Sequence, residues 1–178
     1  MVVAPEGWEE PVILLAEELG AGSVTASVTG GETRADSVRA GLADVPDEPA
    51  FLLVHDAARP LLPEAVIERV ILGVGDGWDG AVAALPVADT LKRADGDAVA
   101  ETVPRDDLHA VQTPQAFVGS VLRSALERDV PGASDCAGYV EAAGGRVRLV
   151  EGDRALLKVT TRADLQIVEA LLAREAAE

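Results

Sequence analysis

The chain has 178 residues, 48% of them hydrophobic, which predicts one globular domain over residues 1–178 with a sizeable core. Its formal charge of −16 argues against duplex DNA or an anionic membrane as a partner, and no apolar run approaches the ~20 residues that cross a bilayer. The single cysteine, Cys136, excludes an internal disulfide, and the acidic N-terminus does not resemble a secretory signal, so we expect a cytoplasmic protein.

The predicted elements of the first half alternate between strand and helix. A short strand at VVAP precedes a helix over 8–19, a strand over 23–28 and a helix over 33–45. The apolar run FLLV predicts a strand buried on both faces, Pro63 opens a helix over 63–74, and a strand follows over 80–87. This alternation predicts an α/β fold with a doubly wound, mostly parallel sheet.

The second half contains one segment that interrupts the alternation. Residues 88–104 are polar, lack helical periodicity and contain a turn-like ADGDA, which predicts a protruding arm over about 87–112. Helices are predicted over 116–130 and near 135–143, and a strand over 146–152. Thr161 is expected to cap a last helix whose apolar face contains Leu165, Val168 and Leu172. An arm of this kind commonly finds its burial on another subunit.

The strand FLLV ends in three ionisable residues, His55, Asp56 and Arg59. Open α/β sheets bind ligands at the carboxyl edge of their strands, so this position predicts a functional site. The alternative is that Asp56 caps the following helix and that Arg59 is a solvated surface charge.

Two further segments contain candidate binding residues. TGGETRADS (29–37) follows a strand and enters a helix, so Gly30 and Gly31 would let backbone amides approach a ligand closely. Its alternative is a tight turn with Thr33 as the helix cap. In HAVQTPQAF (109–117), Thr113 precedes a proline at a predicted loop-to-helix junction, where an ordinary cap is the simpler interpretation.

Taken in chain order, five segments resemble the 2-C-methyl-D-erythritol 4-phosphate cytidylyltransferases of the non-mevalonate isoprenoid pathway. They are GGETRADSVRAGL, LLVHDAARP, PVADTLKRAD, TVPRDDLHAVQTPQAF and LVEGDRALLKVTTRADL. The resemblance covers essentially the whole chain, and HDAARP together with TPQ-F makes it specific. It implies a Rossmann-like nucleotidyltransferase fold and an enzyme that transfers a cytidylyl group from CTP to methylerythritol phosphate, releasing pyrophosphate.

The resemblance also implies roles for individual residues. Asp56 would be the ligand of a divalent cation, Mg²⁺, and Arg105 and Lys158 would be catalytic. The positions that match CTP-binding residues are Gly31, Glu32 and Ser37. Those that match acceptor-binding residues are Arg59, Thr90, Arg105, Thr113 and Lys158. A homodimer through the arm is implied, with Arg105 reaching the neighbouring subunit's site, and the role of Lys92 stays open.

The start of the chain departs from the family pattern. The family begins with a strand that enters a glycine-rich loop of the form A-A-G-x-G-x-R followed by P-K, whereas this sequence opens on VVAP, which corresponds to the second strand. We therefore expect a first β-α unit of about 30 residues to be absent, and rate and stability to be lower as a result. Cys136 in SDCAGYVE also stands where the family has a second acidic residue.

Two other functions stay open at this point. One is a non-catalytic remnant that binds a sugar phosphate or dimerises. The other is cytidylyl transfer to a pentitol phosphate such as ribitol 5-phosphate, because related cytidylyltransferases share the HDA-RP element. TPQ-F and the arm residues favour methylerythritol phosphate as the acceptor.

Overall fold

The structure is a computed structural model that describes residues 1–47 and 50–175. Those residues form eight strands and six helices. In chain order they are β1 (Val2–Ala4), α1 (Glu9–Glu18), β2 (Ser27–Thr29), α2 (Arg34–Ala43), β3 (Phe51–Val54), α3 (Glu64–Leu72), β4 (Gly80–Pro86), β5 (Leu91–Asp95), β6 (Ala98–Val103), β7 (His109–Val118), α4 (Gly119–Leu126), α5 (Cys136–Ala142), β8 (Val147–Glu151) and α6 (Arg162–Glu175).

The largest sheet has four strands in the order β3-β7-β4-β8. Strand β7 is antiparallel to both of its neighbours, and β4 is parallel to β8. Strands β3, β4 and β8 therefore run in one direction, with β7 reversed between two of them. Three of the four strands thus share one direction, as a mostly parallel sheet requires, although two of the three pairings are antiparallel because β7 is reversed.

Helices cover both faces of this sheet, which confirms the doubly wound arrangement. Val82 and Phe117 belong to a core cluster with α4 and α5, against which apolar residues of α2 also pack. Their sequence neighbours Ala83 and Ala116 belong to a second cluster with α3 and Leu156. Successive residues of a strand point to opposite faces, so the two clusters are the two sides of the sheet.

Strands β1 and β2 form a separate parallel pair with three residue pairs, from Val2 with Ser27 to Ala4 with Thr29. The strand predicted over 23–28 is therefore displaced, because the ladder holds only 27–29. Strand β3 is not buried on both faces as predicted. Leu52 is 8% exposed, whereas Phe51 and Leu53 are 45% and 40% exposed. Leu53 lines an open groove between β1 and β3, which leaves that side uncovered.

The helix predicted over 116–130 is wrong in its first three and last four residues, because α4 covers Gly119–Leu126. Thr113 does not lie at a loop-to-helix junction. Residues 109–118 form strand β7, and helix α4 begins only at Gly119. Pairing with distant strands makes this segment a strand, because residues 115–117 pair with β3 on one side and with β4 on the other. The pairing of β4 with β7 is irregular here, because Ala84 pairs with Val111 and Val82 pairs with Gln115. Pro114 lies within this irregularity, where a residue without a backbone N–H is tolerated.

The predicted arm contains an antiparallel hairpin of β5 and β6, which turns at Gly96 with φ of 58°. Helix α6 begins after Thr161, whose hydroxyl accepts the Asp164 N–H as predicted. Its apolar face is less buried than expected, because Val168 is buried while Leu165 and Leu172 are about half exposed. No helix within the described residues is long and apolar enough to cross a membrane.

Candidate active site

Three predicted site residues meet at one edge of the four-stranded sheet. Asp56 follows the carboxyl end of β3, and Lys158 lies in the segment that follows β8. Because β7 runs in the opposite direction, its first half, which holds Thr113, reaches the same edge. The topology therefore brings together residues that are as many as 102 positions apart in sequence.

Asp56 is surrounded by three cationic side chains. Lys158 Nζ donates to Asp56 Oδ2 at 3.0 Å, Arg34 Nε donates to Oδ1 at 3.1 Å, and Arg59 Nε lies 3.7 Å from Oδ2. The Asp56 side chain is only 14% exposed. Burial would raise the pKa of Asp56, but hydrogen bonds and charge from Lys158 and Arg34 outweigh it and hold the pKa below 3.8. This site therefore keeps a carboxylate ionised among fixed positive charges.

The turn that carries Asp56 is held by Thr113 and His55. The Asp56 backbone N–H donates to Thr113 Oγ1 at 2.9 Å, and His55 Nδ1 lies 3.1 Å from the same oxygen. His55 Nε2 lies 3.0 Å from the Arg59 carbonyl oxygen, which can only accept. In a neutral His55 ring the proton is thus on Nε2, and the Thr113 hydroxyl donates to Nδ1. The Thr113 hydroxyl is engaged within the protein.

Arg59 and Asp56 do not match the alternative of a surface charge and a helix cap. The Arg59 side chain is 13% exposed, and its Nη1 donates to the Leu156 carbonyl at 2.5 Å. Its Nε is buried without a hydrogen bond. The N-cap of helix α3 is Pro63, so Asp56 does not cap it. Arg59 connects the Asp56 turn with the segment that leads to Lys158.

The glycine segment before α2 is tightly folded. Gly31 N–H donates to Ser37 Oγ at 3.1 Å, and a Cβ added at Gly31 would lie 2.3 Å from the Asp36 Cβ. Thr33 caps α2 in a reciprocal capping box with Asp36, so the cap interpretation of Thr33 is correct. The turn is therefore fixed in place, and it leaves Glu32 exposed.

Two cavities meet at Arg34 and Asp56. An apolar groove of about 450 Å³ is lined by β1, α2 and β3, and Ser37 and His55 also line it. A more polar cleft of about 680 Å³ contains Arg59, Thr113 and Lys158. Arg34 and Asp56 line both spaces and form the wall between them. The segment predicted to bind CTP and the segment predicted to bind the acceptor thus face a common ion pair.

Thr90 and Arg105 do not join this group within one chain. Thr90 is exposed just before β5. Arg105 is exposed after β6 and donates to the carbonyl oxygen of Ala88. Lys92, also on the hairpin, donates to Thr102 Oγ1 at 2.6 Å. All three residues are exposed, and the described part of the chain gives Lys92 a bond across its own hairpin.

Sequence reasoning missed Arg34. It is the first residue of α2, where the Thr33 cap directs it towards the sheet edge, and its Nη1 also lies 3.4 Å from Cys136 Sγ. Cys136 is buried, which raises the pKa of its thiol, although the charge of Arg34 opposes this shift. The signal was present, because Arg34 stands three residues before Ser37 in a motif already selected for binding.

A family model for 2-C-methyl-D-erythritol 4-phosphate cytidylyltransferase matches residues 3–174. A relative of that name from Nocardia farcinica is 46% identical over 99% of this chain and 75% of its own length. A bifunctional enzyme IspD/IspF from Rhizorhabdus wittichii is 49% identical over 97% of this chain, which spans 44% of that relative. The crystal structure of 2-C-methyl-D-erythritol 4-phosphate cytidylyltransferase from Thermus thermophilus superposes with a TM-score of 0.76 at 38% identity, over 83% of this chain and 73% of that one.

Proposed function

This chain belongs to the family of 2-C-methyl-D-erythritol 4-phosphate cytidylyltransferases, and we propose that it catalyses the reaction after which the family is named. It transfers the cytidylyl group of CTP to the phosphate of methylerythritol phosphate, forming 4-diphosphocytidyl-2-C-methyl-D-erythritol and pyrophosphate. The observation that carries the proposal is the meeting of Arg34, Arg59 and Lys158 around Asp56 at the carboxyl edge of the sheet.

The charge of this site suits two phosphorylated substrates. The chain has 31 acidic residues and 15 lysines and arginines, so its overall charge repels anions. Around Asp56, however, three cations face one carboxylate. Fixed cations stabilise the charge that develops when one phosphate oxygen attacks the phosphorus of another. The site therefore concentrates positive charge where the reaction needs it.

Asp56 also fits the Mg²⁺ that we propose as cofactor. Mg²⁺ commonly takes one or two protein carboxylates and completes its shell with substrate phosphates and water. The part of the chain described by the structure has no cluster of three or more potential metal ligands, which agrees with a single protein carboxylate. When bound, the cation would neutralise charge on the phosphates. Arg34 and Lys158, now on the two Asp56 oxygens, would then be freed to bind phosphate oxygens.

We propose a position for each of the two substrates from the surrounding residues. We assign the cytosine and ribose of CTP to Gly31, Glu32 and Ser37, next to the groove that Arg34 and Asp56 share. We assign the acceptor phosphate to the cleft that contains Arg59 and Lys158. The bond formed joins an acceptor phosphate oxygen to the α-phosphorus of CTP, and the bond broken releases pyrophosphate. Thr113 supports this arrangement by holding the Asp56 turn.

We also propose that the protein is a cytoplasmic homodimer joined through the arm. Every residue of β6 except Val103 is exposed, and Val99 is 64% exposed. Pairing with another subunit would cover this apolar surface and bring Thr90 and Arg105 to the partner's acceptor cleft. The buried free thiol of Cys136 suits a reducing compartment.

Substitution of the two lysines tests the proposed function. Lys158→Met should reduce the rate of pyrophosphate release from CTP and methylerythritol phosphate about 100-fold or more, because it removes a cation from the reacting phosphates. Lys92→Met is the matched control, since Lys92 is the other lysine of the chain and bonds to Thr102 on the arm. Equal rates for the two variants would contradict the site.

Two measurements, substrate binding and the rate of cytidylyl transfer, distinguish the proposed function from its alternatives. Calorimetry should detect both CTP and methylerythritol phosphate in the presence of Mg²⁺, and the turnover assay should prefer this acceptor to ribitol 5-phosphate. Binding of both substrates without any turnover would favour the non-catalytic alternative. A preference for ribitol 5-phosphate would assign the chain to the pentitol phosphate alternative.

A further inference from the structure

We propose that Gln112 is a positioning residue, which fixes the segment 152–159 so that Lys158 reaches Asp56; this rests on the proposed function. Gln112 lies on β7, is 8% exposed and lines the acceptor cleft. Its side-chain hydrogen bonds among the described residues go to Asp153 and not to Asp56, and the resemblance assigns it no role. Its side chain bonds to the backbone of the segment that carries Lys158.

The contact between Gln112 and Asp153 satisfies both ends of the amide. Gln112 Nε2 donates to the Asp153 carbonyl at 2.8 Å, and the Asp153 N–H donates to Gln112 Oε1 at 3.0 Å. This is the pattern that a neighbouring strand would offer, supplied here by one side chain. Gly152 permits the close approach, because a Cβ added there would lie 2.1 Å from Gln112 Oε1. An apolar side chain of similar size would leave two partly buried backbone groups of Asp153 without these partners.

Four anchors hold this segment. The first is the Gly152 N–H, which donates to the Ala84 carbonyl of β4 at 2.9 Å, and the second is the pair of bonds between Gln112 and Asp153. The next is Leu156, which is fully buried and whose carbonyl accepts from Arg59 Nη1. The last is Val159, whose N–H donates to the Ala58 carbonyl at 2.8 Å. Two anchors therefore come from the Asp56 turn and two from the central sheet, and Gln112 is the side chain that continues the tie to the sheet beyond Gly152.

The placement of Lys158 depends on these anchors because its side chain is long and 45% exposed. A lysine of this kind is held in one geometry mainly by the position of its backbone, since its ion pair with Asp56 is partly solvated. Displacement of reacting groups by about 1 Å can reduce a rate roughly 100-fold. Loss of the Gln112 anchor should thus lower kcat more than it raises KM.

Chemical labelling of the two lysines tests the positioning without reference to activity. The protein is treated briefly with an acetylating reagent at one pH, and modification of Lys158 is measured by mass spectrometry against Lys92 as the internal reference. In Gln112→Leu, the ratio of Lys158 to Lys92 labelling should rise about two- to fivefold, because the amine leaves its ion pair more often. Gln112→Glu, which keeps the acceptor for the Asp153 N–H but loses the donor, should give a smaller rise.

Kinetics of the same variants test the consequence for the reaction. Gln112→Leu should lower kcat about 10- to 100-fold, with KM for CTP changed less than threefold. Arg69→Leu is the matched control, because it removes a 2.8 Å bond from a side chain to the Glu151 carbonyl, one residue before Gly152, in a strand that β4 already holds. It should leave both the labelling ratio and kcat near wild-type values.

Gly152→Ala provides a second route to the same test. The added methyl group should displace the Gln112 side chain, because it would collide with Gln112 Oε1. Labelling of Lys158 should then rise as in Gln112→Leu, which keeps the test available if Gln112→Leu folds poorly. An unchanged Lys158 ratio in folded Gln112→Leu and Gly152→Ala would overturn the proposal, as would an equal change in Arg69→Leu. If the wild type shows no cytidylyl transfer, the proposed function fails, whereas the labelling result still decides the role of Gln112.

Discussion

At the scale of single residues, the site consists of one carboxylate, Asp56, surrounded by three cationic side chains. These cations, Arg34, Arg59 and Lys158, come from three separate segments. Within the described residues, Asp56 is the one carboxylate with which each of them forms an ion pair. Two of the three cations also bond elsewhere, Arg34 to Cys136 Sγ and Arg59 to the Leu156 carbonyl. Removal of the acid therefore leaves cations that their other contacts keep close together.

Asp56→Asn should lower the free energy of unfolding by about 1–3 kcal/mol at pH 7, because the cations then repel one another without a counter-charge. Urea unfolding in the presence of a chelator measures the effect. Asp97→Asn, at the exposed turn of the arm, is the control and should change stability by less than about 0.5 kcal/mol. An Asp56→Asn variant as stable as the wild type would show that the cluster is already well solvated.

At the scale of elements, most helices and the strands β3, β4 and β8 were largely predictable, and strand β7 was not. FLLV and GAVAALPV are short apolar runs between turns, so β3 and β4 could be recognised from composition. In β7, Gln112, Thr113 and Gln115 are polar and Pro114 interrupts the run. Its strand state comes from pairing with β3 and β4, which are distant in sequence, and no local pattern reports that pairing.

Helix α6 has a pH-sensitive N-terminus. Hydrogen bonds from Thr160 and Thr161 lower the pKa of Asp164 from 3.8 to about 2. Because the folded pKa is the lower one, this stabilisation is present above 3.8 and is lost as the pH falls through about 2. Protection of the amides in the first turn of α6, measured by NMR relative to the intrinsic exchange rate at each pH, should therefore decrease over that range.

Thr161→Ala should raise the pKa of Asp164 towards 3.8, because the Thr161 side chain is one of the groups that lower this pKa. The substitution also removes the hydroxyl that accepts the Asp164 N–H. Thr102→Ala removes a threonine hydroxyl from the arm and serves as the control. An Asp164 titration that stays near 2 in Thr161→Ala would mean that the Thr160 bonds and the Thr161 backbone N–H determine it without the Thr161 hydroxyl.

At the scale of the whole molecule, sequence reasoning selected residues that the fold brings together, but it did not predict the contacts among them. Asp56 and Lys158 were predicted from their motifs, and the structure joins them through the shared edge of β3 and β8. Arg34 and Gln112 escaped notice because their contribution is a bond to a partner that only the fold brings near. Arg105 stays a prediction, since its proposed target lies on another subunit.

Mixed dimers test whether Arg105 acts across the subunit boundary. Arg105→Ala and Lys158→Met chains should each be nearly inactive alone. In a 1:1 mixture, half of the dimers are hybrids and each has one intact site, so activity should recover to about a quarter of wild type. If Arg105 acts within its own chain, mixing restores nothing. Sedimentation of the separate variants checks that both still form dimers.

The ion pair of Arg34 and Asp56, described above as the wall between groove and cleft, makes the two compartments energetically dependent on each other. A ligand that draws Arg34 or Lys158 away from Asp56 on one side alters the charge presented on the other. Thermodynamic linkage makes this effect reciprocal. If a ligand in the groove changes the affinity of the cleft for its ligand by some factor, the ligand in the cleft changes the affinity of the groove by the same factor.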